Sequence, residues 1–164
     1  MTPKTKINKL LTPWTYNGKP LDPESVAGYA GFVYLITFIP TGQLYIGKKF
    51  FSGMRKQKGK TRRSKVASDW EKYWSSSETV KKLLDEHGPE AFKREIISLH
   101  KLKRDVNFCE VYYQFKYDVL TEMLDDGVTR KYLNENIQGK YFPYLVIGWH
   151  DRLDRNQDLS NFAI

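Results

Sequence analysis

Apolar and polar positions along this chain fall into short blocks, each with its own period. Phe32-Val33-Tyr34-Leu35-Ile36 and Leu44-Tyr45-Ile46 are dense in β-branched and aromatic residues, and Pro40-Thr41-Gly42-Gln43 lies between them. Two such runs around a Pro/Gly turn predict a β-hairpin with a four-residue connection. Further on, Val80, Leu83 and Leu84 recur at helical spacing. Ser76 or Ser77 can cap that helix and Gly88-Pro89 ends it, so it runs to about His87. Phe92 to Leu99, carrying the Ile96-Ile97 pair, predicts a third strand. Residues 105–124 predict a long helix with one apolar stripe: Phe108, Val111, Tyr112, Phe115, Val119 and Met123. Asp125-Asp126-Gly127 stops it.

The flanks have less pattern. Residues 1–30 hold four of the seven prolines, together with Trp14, Tyr16 and Asn17-Gly18. They predict an extended arm that packs through its aromatics. A central domain follows over 31–142, with a short turn at Tyr132–Asn136, and 143–164 reads as a C-terminal strand and loose acidic tail. Hairpin, helix, strand and helix in that order make an α+β fold. Its expected core is a small mixed or antiparallel three-stranded sheet flanked by helices.

Charge sharpens the picture. Residues 48–65 contain nine basic residues and no acid: Lys48, Lys49, Arg55, Lys56, Lys58, Lys60, Arg62, Arg63 and Lys65. Removing those nine from the chain's 27 leaves 18 basic against 19 acidic residues, so the net +8 belongs to one segment. Concentrated charge of this kind is the footprint of a polyanion partner, although a solvated loop has the same composition. Phe50 and Phe51 on one side, and Trp70, Tyr73 and Trp74 on the other, would anchor the run to the fold.

The remaining composition excludes several classes. No apolar run approaches the roughly 18 residues that span a bilayer, so no membrane partner is expected. The basic N-terminus lacks the apolar stretch of a signal peptide. Cys109 is the one cysteine, which rules out an internal disulfide framework and suits a reducing cytoplasm. His87, His100 and His150 have no zinc-ligand spacing with it or with each other.

Gly31-Phe32-Val33-Tyr34 and Tyr45-Ile46-Gly47 resemble the two half-motifs of the GIY-YIG nuclease superfamily, the first with its glycine one residue further from the tyrosine. Lys48-Lys49, Asp69 to Ser76, Phe92 to Ile97, Glu110 and Tyr132-Leu133-Asn134 are similar to phage-encoded, homing-type members of the SegE-like branch. The resemblance runs from about Gly31 to Phe142. It implies a DNA endonuclease with one divalent ion, Mg²⁺ or Mn²⁺, per active site.

The resemblance also implies roles. Tyr34 would be the general base that activates water, supported by Tyr45. By itself a phenol with a reference pKa of about 10 is a poor base at neutral pH, and tyrosines are good strand residues in any case. Glu110 would hold the metal, a single carboxylate sufficing for an ion that keeps several waters. On the helical wheel Glu110 lies opposite the apolar stripe, sharing a face with Val106, Tyr113, Gln114 and Tyr117, where an ordinary exposed glutamate would also sit. Arg55 and Lys48 would stabilise charge growing on phosphorus. Lys49, Lys56, Lys58, Lys60, Arg62, Arg63 and Lys65 would contact nucleic acid. Tyr73 is placed for proton transfer or for packing alone. Asn134 matches the asparagine that orients the site, with Asn136 a close competitor.

Other chemistries fit less well. Gly42 to Lys48 matches the front of a phosphate-binding P-loop, but Lys49 replaces the Mg²⁺-ligating hydroxyl and Leu-Tyr-Ile is strand-like. No histidine pair suits an HNH site. A non-catalytic DNA- or RNA-binding protein with the same fold is the alternative, and a structural protein the third. RNA stays open as a substrate, and either a monomer or a weak dimer is compatible with the chain.

Overall fold

The computed structural model describes residues 12–152. The C-terminal tail expected after them lies outside the described residues. The first strands are β1 (Thr15–Tyr16) and β2 (Lys19–Pro20), then β3 (Gly31–Phe38) and β4 (Gln43–Phe50). A separate pair, β5 (Ser52–Lys56) and β6 (Arg63–Ala67), precedes helix α1 (Glu78–His87). Strand β7 (Phe92–His100), helix α2 (Lys103–Lys116) and the single turn α3 (Pro143–Val146) complete the order.

The main sheet runs β2-β1-β7-β3-β4. Its heart is the expected antiparallel trio, with β3 between β7 and β4. The sheet has five strands because the arm contributes a two-residue hairpin at one edge, Thr15 pairing in parallel with Glu95. The hairpin from β3 to β4 turns through Gly42 at φ 77°, a left-handed conformation that glycine adopts without steric penalty. Ser77 is the cap of α1, its side chain accepting from the Val80 N–H.

Side chains alternate across β3. Phe32, Tyr34, Ile36 and Phe38 enter one core with Trp14, Phe51, Trp70, Phe92 and Val80 of α1. Val33 enters the other, with Ile46, Val119, Leu120, Tyr132 and Ile137, and α2 covers that face. A strand buried on both faces reads as a continuous apolar run, as β3 does.

Three expectations change. The helix over 105–124 ends at Lys116, and Asp118 at φ 50° turns the chain away. Its apolar stripe faces outward: Phe108, Tyr112 and Phe115 are exposed, while Val106 and Gln114 are buried. The polar face packs on the sheet because Glu110 pairs with Lys48 and Gln114 donates to the Ile46 carbonyl of β4. Tyr141–Trp149 forms no strand, since Pro143 starts a helical turn and only Tyr141 bridges, to Ile137.

Arg94 ties the arm to the rest. It points from β7 into the first core at 5% exposure, its guanidinium 4.6 Å from the Trp14 ring and 4.4 Å from the Trp74 ring. It donates to the carbonyls of Thr12, Glu71 and Tyr73, the last at 2.7 Å. Burial lowers its pKa to about 10, which still leaves it charged at neutral pH. Arg94→Ala should lower the unfolding free energy by about 2–4 kcal/mol, because three carbonyls lose their donor and the tryptophans face a void. Urea denaturation of the two proteins measures this; a midpoint unchanged at equal slope would mean the tie is energetically idle.

Candidate active site

The site is built on β4, the free edge of the sheet, and uses both of its faces. Tyr34 lies opposite Gly47, and Tyr45 lies opposite Ile36, so the two tyrosines are diagonal neighbours on one face. Their ring centroids are 6.2 Å apart. Gly47 makes this possible. A Cβ there would stand 2.6 Å from Tyr34 Cζ and 2.9 Å from Tyr45 Cε1, closer than atoms can approach. The glycine of the second half-motif is thus the floor on which both rings rest.

Tyr73 meets the Tyr34 ring edge-on at 6.2 Å, and Trp14 closes over it at 5.0 Å. Tyr34 is 1% exposed. Burial first, then the neighbouring phenols of Tyr45 and Tyr73, push its pKa well above the usual tyrosine value, with Ser75 pulling the other way. Burial raises Tyr45 too, against hydrogen bonding from Ser75 and Ser76. Both phenols are therefore neutral at physiological pH. Lys49 extends along the same face. Its ammonium lies 3.9 Å from the Tyr73 centroid and 2.7 Å from Asp69 Oδ1, which it holds below the usual carboxylate range.

The opposite face carries charge. Lys48 Nζ donates to Glu110 Oε2 at 2.7 Å across from α2, and Oε1 has no protein hydrogen bond among the described residues. Gln114, one turn after Glu110, donates to the Ile46 carbonyl at 3.1 Å. Asn134 binds both sides of the same residue: its Oδ1 accepts from the Ile46 N–H at 3.0 Å, and its Nδ2 donates to the Ile46 carbonyl at 2.8 Å. A primary amide has the acceptor and donor needed to complete a strand edge in this way. Just before it, Lys131 and Leu133 pair with Leu44 through backbone hydrogen bonds.

Around this edge lies a polar cavity of about 280 Å³. Tyr45, Lys48, Ser76, Glu110, Asn134 and Glu135 are among its walls. Of the two candidate asparagines, Asn134 is buried at the strand edge, while Asn136 lines the cavity and accepts from the Gly139 N–H in a local turn.

Not every candidate is brought in. Arg55 is exposed on β5 and is not among the cavity walls, although its charge reaches Asp69. Lys56, Arg63 and Lys65 stand exposed on β5 and β6, and Lys58, Lys60 and Arg62 on the turn between them. Conversely, Ser75, Ser76 and Glu135 belong to the site without having been singled out. Ser75-Ser76 ends a segment that carries the family likeness, which is a usable signal. Glu135 had none beyond standing next to Asn134.

The donor set suits a hard cation. The described residues contain no group of three or more His, Cys, Asp or Glu that could cage a metal. Two carboxylates and several amide oxygens line the cavity, which matches an ion that takes few protein ligands and keeps its waters.

The family model described as "Putative endonuclease segE, GIY-YIG domain" matches residues 14–137. The chain belongs to that family, and so carries a GIY-YIG endonuclease domain with nucleic acid as its implied partner. Neither the curated proteins nor the solved structures gave a match. Among the described residues no helix is long and apolar enough to cross a membrane.

Two outcomes are expected from this geometry. Gly47→Ala should displace both tyrosines and destabilise the fold by about 1–3 kcal/mol, visible as a lower melting temperature and an altered near-ultraviolet circular dichroism spectrum. Titration is the second. Because Tyr34 and Tyr45 keep their protons longer in the folded chain than in the unfolded one, the unfolded state binds fewer protons above about pH 10. Stability should therefore be full below that pH and fall as it rises. Phenolate absorbance should show three of the 11 tyrosines, Tyr34, Tyr45 and Tyr132, all raised by burial, holding their protons until the fold opens. A single smooth titration of all of them in the folded protein would refute the buried pair.

Proposed function

We propose that this protein is a divalent-metal-dependent DNA endonuclease, with Tyr34 acting on the attacking water and Glu110 holding the ion. The observation that carries this is convergence. Tyr45, Lys48 and Glu110 arrive from one strand and a helix at a single polar cavity, and Tyr34 packs behind Tyr45 on the neighbouring strand.

A buried neutral phenol does not begin as a phenolate, so Tyr34 serves as a relay. Its oxygen takes the proton of the water while its own proton passes to the adjacent Tyr73 hydroxyl. Tyr73, half-exposed, gives its own proton to bulk solvent, and Ser75 also bonds the Tyr34 oxygen. Tyr45 orients the water from the cavity side. Lys48 has two roles: it pairs with Glu110 and adds positive charge where the phosphorane develops. Lys49 brings a second cation along the tyrosine face. Glu110, with Oε1 open, would hold Mg²⁺ or Mn²⁺. When bound, that ion supplies Lewis-acid polarisation of the phosphate and stabilisation of the leaving 3′ oxygen. Asn134 and Gln114 fix the backbone from which Tyr45 and Lys48 project.

Supercoiled plasmid is the direct test, with Mg²⁺ and with EDTA, using wild type, Glu110→Ala and Tyr34→Phe. Wild type should cut only with metal. Tyr34→Phe should lose about 10²–10⁴-fold in rate, the usual scale of acid–base assistance. Glu110→Ala should lose at least as much, and both variants should still bind DNA in gel shifts. Binding without cutting across Mg²⁺ and Mn²⁺ would instead favour a non-catalytic DNA-binding protein. Equal cutting by wild type and Glu110→Ala would remove Glu110 as the metal ligand.

A further inference from the structure

The basic segment that reads as a loop is an antiparallel ribbon. β5 and β6 pair over five positions, from Ser52↔Ala67 to Lys56↔Arg63, and form a sheet of their own. Residues 54–63 are all exposed. The base is fixed: Phe51 is buried against Phe32 and Trp70, with ring centroids 5.2 and 5.1 Å away. Ser68 clamps the two strands at their root, bonding to the carbonyls of Phe50 and Phe51. The result is a rigid root and a projecting cationic finger.

Its shape selects a partner. A two-stranded ribbon fits a groove about 12 Å wide, the major groove of B-form DNA, without deforming it, whereas a minor groove about half that width would have to be opened at a cost in DNA bending. Five residues at about 3.4 Å each reach roughly 17 Å, enough to cross the rim and meet base edges. The chemistry agrees. Arg62 and Arg63 can grip guanine, Gln57 at the start of the turn can pair with adenine, and Thr61 or Met54 can meet a thymine methyl. Lys58 and Lys60 serve phosphates. Gly59, at φ 83°, lets the turn close without a bulky side chain at the tip. The ribbon also leaves β4 immediately after Phe50, so its root continues the strand that carries Tyr45, Lys48 and Lys49.

We propose that this ribbon enters the major groove of duplex DNA and holds the duplex against the site at the β4 edge. The second half of that statement rests on the endonuclease reading; the first does not.

The test is a gel shift with the full chain in EDTA, where cutting is silent. One short mixed-sequence duplex is used unmodified, again with netropsin filling its minor groove, and again with bulky C5-substituted pyrimidines filling its major groove. Netropsin should change affinity by less than about twofold, and the C5 groups should lower it at least about tenfold, the scale of one lost base contact. Two variants report on the tip: residues 57–62 replaced by Asn-Gly, which closes the same register, and Lys58→Gln/Lys60→Gln/Arg62→Gln, which keeps the backbone. Both should lose about tenfold or more and show a shallower salt dependence, while circular dichroism confirms the fold. The reverse groove pattern, wild-type affinity in the charge variant, or no duplex binding by folded wild type would each overturn the proposal. Plasmid cutting in Mg²⁺ is scored in parallel. Major-groove binding without cutting would remove the endonuclease reading and keep the ribbon; cutting with netropsin-sensitive binding would do the opposite.

Discussion

Everything at the site hangs on the backbone of one residue, Ile46. Its N–H and C=O face outward from the edge of the sheet, where an unpaired strand would offer them to water or to another chain. Asn134 takes both, and Gln114 adds a second donor to the carbonyl. The same three hydrogen bonds bring the 131–134 segment and helix α2 to a single point. Tyr45 and Lys48 flank that point on the strand, and Glu110 stands one turn before Gln114. A sheet edge that most proteins merely protect is used here as the mounting surface for chemistry.

Using an edge gives access to both faces of the strand at once. Successive side chains of β4 point in opposite directions, so Tyr45 and Lys49 serve the aromatic side while Lys48 serves the ionic side. The two environments need to be different. The Tyr34 phenol is kept dry and neutral under Trp14 and Tyr73, whereas the Lys48–Glu110 pair opens on a polar cavity that Tyr45 also lines. Gly47 lies at the boundary between them, and the absence of a side chain there lets two large rings occupy the space over one backbone position.

How much of this was legible in the chain follows from what each residue was asked to do. The hairpin, α1 and β7 could be read because their apolar spacing and their packing agree: Val80 is buried, Ser77 caps, and Gly88 ends the helix. Helix α2 could not, because the stripe rule assumes that a helix buries its most apolar face. Here Glu110 and Gln114 are held inward by β4, leaving Phe108 and Tyr112 outside. The arm's strands were invisible for another reason. A two-residue strand has no period, and β1 is held by β2 on one side and by Arg94 and Glu95 on the other. Tyr34, Tyr45 and Glu110 could be named from family likeness, but not Glu135, whose place depends on Ser77 and Thr79 more than fifty positions back along the chain. The ribbon's charge was plain; its pairing was masked because Lys and Arg dominate where apolar alternation would normally mark a strand.

Those distant contacts bear on the order in which the molecule can be completed as it is synthesised. Thr15 meets Arg94 across 79 positions, and Ile46 meets Asn134 across 88. The tyrosine hairpin is local and can close early, yet its cover waits for β7 and its edge clamp waits for the last part of the domain. Non-local closures of this kind are slow steps in folding. A nascent chain thus carries all its phenols and cations long before it carries a site, and assembly of the site coincides with completion of the fold.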